Sequence, residues 1–340
     1  MIPGAPAEAR WIRAEPRQAL AVPLLERLVR TAFPRCHVLQ MQPLTDGFRN
    51  TNFKVQLDTG EWIVVRIYEH DASLCQKEVD LIRLVGSSVP VSDVIHAEPD
   101  GLDGLPPFAL MRYVEGIGFR ELKRGGDIDA IAQAAYSAGE TLAAIGRVTF
   151  PRSGWIAPGP TVTAPLLDGA DPTPRFVDLC LASTNLKMRM SAELRDPIHA
   201  LVWSSAPILA ELDHEACLVH GDFGKRNLLV RRNDERRNDG RWSVAAVLDW
   251  EFAISGSPLA DLGHFLRYEH NTRALAEPHF SDGYLQAGGR LPHEWRRLAR
   301  LVDMTALCES LTHYQLPDAI VPELVELVRA TVENRDPVLP

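Results

Sequence analysis

The stretch Cys217-Leu218-Val219-His220-Gly221-Asp222-Phe223-Gly224-Lys225-Arg226-Asn227-Leu228-Leu229-Val230 limits what this chain can fold into more than any other. Two short apolar runs containing valine flank a compact polar loop, and such runs read as strands. The loop carries a carboxylate, Asp222, and further on an amide, Asn227. A later apolar run, Val244-Ala245-Ala246-Val247-Leu248, ends on Asp249. Three polar groups therefore stand at the ends of strands expected to lie side by side. A strand end holds a functional group rigidly, and a carboxylate placed there must find a partner.

Phosphoryl transfer is the chemistry that uses such a set. Its transition state needs positioning and charge neutralisation more than covalent help. One carboxylate accepts a hydrogen bond from the attacking hydroxyl. An amide oxygen and a second carboxylate hold Mg²⁺ against the phosphates, because a hard cation prefers oxygen ligands. The spacing of Asp222 and Asn227 matches the protein-kinase catalytic loop, where Asp and Asn fall in H-R-D-L-x-x-x-N. With His220-Gly221-Asp222 before Asn227 and Leu248-Asp249-Trp250-Glu251 after it, the variant resembles the aminoglycoside phosphotransferase family, small-molecule kinases of the protein-kinase-like fold. The resemblance covers roughly residues 38–270.

The resemblance implies an α+β, two-lobed fold. A small lobe over residues 1–115, an antiparallel sheet with an N-terminal helix, binds the nucleotide, and a larger, mainly helical lobe over residues 116–340 carries catalysis and the acceptor. It also implies Asp222 as the catalytic residue, Asn227 and Asp249 as metal ligands, Mg²⁺ as cofactor and ATP or GTP as co-substrate.

Composition narrows the partners. Lysine plus arginine number 36 against 45 aspartates and glutamates, a net charge of −9. That balance argues against a nucleic-acid binder, which usually shows a basic face, and leans weakly toward a cationic acceptor. Five cysteines without a C-x-x-C pair suggest reduced thiols and a cytoplasmic home. Residues 1–17, rich in Pro and Ala, lack the apolar core of a signal peptide and are expected to lie loosely on the surface. No apolar run approaches the roughly 20 residues that span a bilayer.

Along the chain, Leu20 to Phe33 reads as a helix, and His37 to Leu44 and Asn52 to Leu57 as strands. Between those strands, Thr45 to Thr51 occupies the place of a phosphate-covering loop, with Gly47, Asn50 and Thr51 as its candidate contacts. One glycine there departs from G-x-G-x-x-G, and the same residues also suit an ordinary hairpin turn. In the strand Glu61 to Tyr68, period two puts Trp62, Val64, Arg66 and Tyr68 on one face. The kinase-like lysine belongs on this strand, and here the candidate is Arg66. Arginine keeps the charge but presents a planar, longer fork. The helix Ser73 to Val85 offers Glu78 as its natural partner, with Glu61, Asp71 and Asp80 as weaker alternatives.

Val91 to Ile95 is a further strand candidate, and Phe108 to Gly116 resembles the kinase hinge. In that register the Arg112 carbonyl and the Val114 N–H meet the adenine edge. Asp127 is expected to cap a long helix, residues 149–173 to form a long loop, and residues 178–212 to form two helices. Lys225 lies near where phosphate must pass, and Glu251 is a further candidate for metal or water contact. Asp261 reads either as a helix cap or, by resemblance, as a partner of the catalytic loop. Asp303 and Glu309 are acids that a cationic acceptor could meet, although solvated helix faces carry such acids routinely.

The function expected is therefore transfer of the γ-phosphoryl of ATP or GTP to a hydroxyl of a small molecule, an aminoglycoside-like or other cationic antibiotic. Alternatives are a kinase of a metabolite such as choline, homoserine or a sugar, and a nucleotide-binding pseudokinase regulator. A protein substrate is disfavoured, because little chain separates Asp249 from Asp261 and no Ala-Pro-Glu segment stands there. No nucleic-acid or membrane partner is expected.

Overall fold

The computed structural model describes residues 22–44, 50–69, 71–233, 240–271 and 274–337. The expected surface segment over residues 1–17, the loop residues 45–49 with Gly47 among them, and the middle of the 231–241 turn lie outside the described residues.

The first half of the chain runs α1 (Val22–Arg30), β1 (Val38–Leu44), β2 (Thr51–Leu57), β3 (Trp62–Ile67), α2 (Ser73–Val85), β4 (Val94–Glu98) and β5 (Phe108–Arg112). The five strands form one antiparallel sheet in the order β1-β2-β3-β5-β4. Alternation gives this sheet two apolar faces. Phe53, Val55, Leu57, Ile63, Val65, Ile67, Phe108 and Leu110 pack with Leu25, Leu28 and Val29 of α1. The interleaved Tyr68 and Ala109 pack with Cys75 and Val79 of α2. Arg66 shares the phase of Tyr68, so its side chain runs between sheet and α2. β4 begins at Val94 rather than Val91 and continues to Glu98. The chain before it is held otherwise, the Pro90 carbonyl accepting from the Val247 N–H and the Asp93 carbonyl from the Arg112 N–H.

Beyond β5 come β6 (Ile117–Gly118), α3 (Phe119–Gly125), α4 (Ile128–Gly146), β7 (Gly154–Ala157) and β8 (Thr161–Ala164). Four helices follow, α5 (Pro172–Ala182), α6 (Thr184–Arg189), α7 (Ala192–Ser204) and α8 (Ala206–Asp213). Then come β9 (Cys217–Val219), β10 (Leu228–Arg232), β11 (Trp242–Val247), β12 (Ile254–Gly256), α9 (Leu259–Leu266), α10 (His279–Gln286), α11 (Trp295–Thr312) and α12 (Val321–Val332). Two small sheets, ordered β11-β10-β6 and β8-β7-β12-β9, sit among the helices. The result is the α+β, two-lobed arrangement expected from the sequence.

The Asp127 carboxylate caps α4 by accepting from the Ala130 N–H at 3.1 Å. α4 crosses α10 at two glycines. A Cβ on Gly139 would stand 2.0 Å from the Phe280 carbonyl oxygen, and one on Gly283 would stand 2.0 Å from that of Tyr136. Only hydrogen at both positions allows that approach, which buries Phe280 against Phe265 with ring centroids 3.9 Å apart.

Two expectations for this half need correction. Residues 149–173 contain the hairpin β7–β8 rather than a plain loop. Its strands are too short for alternation to register, and flanking Pro and Gly residues obscure them. Residues 178–212 form parts of four helices, not two. Ser183 ends α5 and starts α6, Ser191 precedes α7, and Pro207 lies in the first turn of α8. All five cysteines are free thiols, and burial pushes Cys75 and Cys180 up to about 12. Among the described residues no helix is long and apolar enough to cross a membrane.

One buried ionic cluster ties the helical part together. Glu269 lies 2.9 Å from Lys123 of α3 and 3.4 Å from Lys225. Burial works to raise its carboxyl, but Lys225 and Lys123 outweigh it and hold the group below the usual glutamate range. Its contribution to stability is thus complete above the unfolded value of about 4.3 and is lost as pH falls through the lower folded value. Glu269→Gln should cost about 3–5 kcal/mol at neutral pH, because two buried ammonium groups lose their counter-charge. Urea unfolding at pH 7 measures that cost, and the gap to the parent protein should narrow below pH 4.

Candidate active site

The loop between β9 and β10 is held from three sides. The Asp261 carboxylate, fully buried at the start of α9, accepts the His220 N–H on Oδ2 at 2.7 Å and the Gly221 N–H on Oδ1 at 2.9 Å. The His220 imidazole donates from Nε2 to the Leu248 carbonyl at 2.9 Å and accepts the Asp222 N–H on Nδ1 at 3.2 Å. Its ring packs on Trp250 with centroids 4.7 Å apart. The Leu248 N–H in turn donates to the Asn227 carbonyl at 2.8 Å. These bonds bring the end of β11 against the β9–β10 loop, so the segment carrying Asp249 lies beside the one carrying Asp222 and Asn227. Gly221 makes the turn at φ +81°, and a Cβ there would stand 2.3 Å from the Phe252 carbonyl oxygen.

Both oxygens of Asp222 are engaged. The Asn227 amide donates to Oδ2 at 2.7 Å and to the Asp222 carbonyl at 2.9 Å. His264 Nε2 lies 3.0 Å from Oδ1. Burial works to raise the Asp222 carboxyl, but the neighbouring His264, His220 and Asn227 outweigh it and hold it below the ordinary aspartate value. The group is an ionised acceptor at neutral pH. Asn227 spends its NH₂ on Asp222, which leaves its amide oxygen for another ligand.

Asp249 sits at φ +68°, in the left-handed region that few side chains other than glycine, asparagine and aspartate enter. Its Oδ1 accepts a short hydrogen bond from the guanidinium of Arg66. Arg66 is also paired through Nε with Glu78 Oε2 at 2.9 Å. Glu78 accepts the Tyr68 hydroxyl at 2.6 Å and the Trp250 N–H at 2.9 Å. Burial pushes the Glu78 carboxyl up against the pull of Arg66. The guanidinium itself is pushed down by burial, but Asp249 and Glu78 prevail and raise it well above its ordinary value. Of the acids weighed as partners for Arg66, Glu78 is the one that meets it. Glu61 instead pairs with Arg112 at 2.8 Å, and Asp80 accepts from Gln76 and from the Gly159 N–H.

The remaining candidates are placed as follows. Asn50 is buried and donates to Glu251 Oε2 at 3.0 Å, while Lys77 donates to the Glu251 carbonyl at 2.8 Å. Glu251 is thus engaged by the sheet side of the structure. Thr51 is fully buried and opens β2 opposite Ile67. The Arg112 carbonyl accepts from the Ser92 hydroxyl, and Val114 follows two residues after the end of β5. Lys225 is turned away from Asp222, its ammonium donating to the Phe265 carbonyl at 2.7 Å. Asp303 is bound by Arg267 through two hydrogen bonds, at 2.8 and 2.6 Å, and Glu309 is exposed.

For a divalent ion, Asn227 and Asp249 provide one amide oxygen and one carboxylate oxygen not committed to Arg66. Among the described residues no cluster of three or more His, Cys, Asp or Glu could hold a metal by itself. The donor set suits a hard, largely hydrated ion that takes its other ligands from phosphate and water. The sequence assigns no role to the side chains of His220, His264 and Arg267, and reads Asp303 only as an acid that an acceptor could meet. His264 lies one helical turn after Asp261, a spacing that puts both on one face of α9 and is the signal that was there to read.

Asp261→Asn should cost about 1–3 kcal/mol in chemical unfolding, because an amide NH₂ would face a buried backbone N–H. The variant should also lose most turnover, since the loop ahead of Asp222 would be released.

Comparison with known proteins adds four findings. The profile of the phosphotransferase enzyme family, APH, matches residues 40–301. Among solved structures, the GDP and kanamycin complex of APH(2")-IIia superposes with a TM-score of 0.66 at 17% identity, over 91% of this chain and 98% of that one. A putative fructosamine-3-kinase from Thermobifida fusca YX-ER1 superposes with a TM-score of 0.57 at 18% identity, over 91% and 98%. Likenesses at such identity establish the fold. A curated relative, acyl-CoA dehydrogenase family member 11 of Rattus norvegicus, is 40% identical over 67 residues, 20% of this chain and 8% of that protein's length.

Proposed function

The chain belongs to the phosphotransferase enzyme family, and on that premise we propose that it moves the γ-phosphoryl group of ATP or GTP to a hydroxyl of a small molecule. The observation that carries the reading is Asp222 itself. It is an ionised carboxylate fixed by Asn227 at 2.7 Å, beside the β11 end that presents Asp249.

In this reading Asp222 accepts a hydrogen bond from the acceptor hydroxyl. The hydroxyl oxygen bonds to the γ-phosphorus as the bond to the bridging oxygen breaks. The nucleoside diphosphate departs with that electron pair, and the hydroxyl proton passes late to Asp222. Asn227 and Asp249 would hold Mg²⁺ through oxygen. When bound, the ion neutralises charge on the phosphate oxygens. Arg66, fixed by Glu78, sets a positive charge next to Asp249 in the place where a kinase lysine would stand. Asn50 and Thr51 border the phosphates through their backbone, since the Asn50 side chain is committed to Glu251, and the sequence assigns Gly47 to the same role. The Arg112 carbonyl and Val114 N–H take the purine edge. The two lobes divide near residues 115–116, just past β5. A cytoplasmic location suits a user of nucleoside triphosphates with five free thiols.

The acceptor has two readings. A cationic, aminoglycoside-like antibiotic accords with the family and with the kanamycin-bound neighbour. A hydroxyl metabolite of sugar, choline or homoserine type accords with the fructosamine kinase-like neighbour. A pseudokinase is less favoured, because a lapsed site has no need of Asp222, Asn227 and Asp249 together.

The test is Mg²⁺-dependent turnover of ATP and GTP against a panel of cationic antibiotics and hydroxyl metabolites. Phosphorylated product is expected, with Asp222→Ala falling by about 10²–10⁴-fold while nucleotide binding persists. Nucleotide binding without turnover on any acceptor would favour the pseudokinase reading. No nucleotide binding would overturn the roles given to Arg66 and the sheet.

A further inference from the structure

His264 contacts the catalytic carboxylate and belongs to no motif of the active site. It lies on α9, one turn beyond Asp261. Its Nε2 is 3.0 Å from Asp222 Oδ1, and its Nδ1 is 3.3 Å from a terminal nitrogen of Arg267. A guanidinium nitrogen only donates, so Nδ1 must present its lone pair to Arg267. The ring proton then sits on Nε2 and is donated to Asp222. The tautomer is thus dictated by the neighbour on the far side of the ring, as it is for histidines in other polar relays. Arg267 is itself immobile. It is largely buried and gripped at two nitrogens by Asp303 of α11, at 2.8 and 2.6 Å.

We propose that His264 is a positioning residue for the phosphoryl transfer, a donor fixed in its Nε2–H tautomer by the Arg267–Asp303 pair that orients the Asp222 carboxylate toward the acceptor hydroxyl. The inference rests on the reading of Asp222 as the catalytic residue. Asn227 restrains Oδ2 and His264 restrains Oδ1, so the plane of the carboxylate is set from both ends. With only Asn227 in place, the carboxylate could turn about its Cβ–Cγ bond. His220, the other imidazole near Asp222, cannot substitute, because both its nitrogens are taken by the Leu248 carbonyl and the Asp222 N–H.

A second observation is steric and independent of the hydrogen bonds. A Cβ on Gly224 would stand 3.0 Å from His264 Nε2 and 3.2 Å from its Cδ2. The catalytic loop therefore passes the imidazole edge at a distance that suits hydrogen and crowds a methyl group. Gly224→Ala would press the ring away from Asp222 while leaving every polar partner in the sequence.

Two measurements on the full chain test the proposal. The first needs no activity. In long-range ¹H–¹⁵N spectra of histidine-labelled protein, with His264→Gln providing the assignment, His264 should show a protonated Nε2 and an unprotonated Nδ1 at neutral pH. The opposite tautomer would overturn the proposal. The second is hydrolysis of Mg·ATP and Mg·GTP, with water standing in for the acceptor. His264→Leu should lower kcat by about 10- to 100-fold with KM for nucleotide within about twofold. Gly224→Ala should fall in the same direction. His264→Gln, whose amide donates at one end and accepts at the other, should recover most of the loss. A kcat for His264→Leu within twofold of the parent, or His264→Gln as impaired as His264→Leu, would overturn it. If the parent protein hydrolyses neither nucleotide and phosphorylates no acceptor of the panel, the phosphotransferase reading fails, and the spectra still decide the tautomer.

Discussion

The site depends first on one fully buried carboxylate. Asp261 accepts two consecutive backbone N–H groups, those of His220 and Gly221. Burial pushes its carboxyl up, against the pull of His220 and of those two donors. A buried charge of this kind persists because its hydrogen bonds replace the lost hydration. The consequence is geometric. The first turn of α9 fixes the backbone immediately before Asp222, and the same helix presents His264 to the side chain of Asp222. One helix thus holds the backbone ahead of Asp222 and also places a side chain against its carboxylate.

On the opposite side of the site, Arg66 joins two consecutive elements to a third that is far away in sequence. It runs from β3 to Glu78 on α2 and to Asp249 beyond β11. An ammonium in its place would be a compact point charge, whereas the guanidinium fork serves two carboxylates through different nitrogens. Glu78 extends the connection by accepting the Trp250 N–H, and Asn50 and Lys77 both reach Glu251. Ordinary packing would leave the five-stranded sheet and the β10–β11 hairpin free to slide. Directional polar contacts, buried where water does not compete, fix their register instead.

How much of this could be read from sequence follows from the range of the interactions. The spacing from Asp222 to Asn227 is local, and so is the apolar run into Asp249, and both marked the site. Helix α2 runs over Ser73–Val85 as its apolar stripe indicates, and Arg66 meets Glu78 because strand and helix phases are each legible alone. Short elements were lost. The β7–β8 hairpin has only four residues per strand, too few for alternation to stand out from its Gly and Pro neighbours. Breaks between helices α5 to α8 depend on single Ser and Pro residues. Lys225 sits in the catalytic loop by sequence but faces Glu269 and Phe265, because the loop twists between adjacent residues. The Arg267–Asp303 pair joins α9 to α11, and no pattern in either helix announces it.

The polar groups around Asp222 share a pattern of divided valence. Asn227 gives its NH₂ to Asp222 and retains its oxygen. Asp249 gives one oxygen to Arg66 and retains the other. Each oxygen of Asp222 accepts one fixed donor and retains a lone pair. Each side chain is thus oriented by one set of atoms and keeps another free to accept a further partner. That division is what electrostatic preorganisation requires, since a group whose orientation were left to the substrate would have to be ordered at the moment of reaction. It also explains why the scaffold around the site is polar rather than apolar. Hydrophobic contacts have no direction and would place these side chains without fixing which atom faces the cleft.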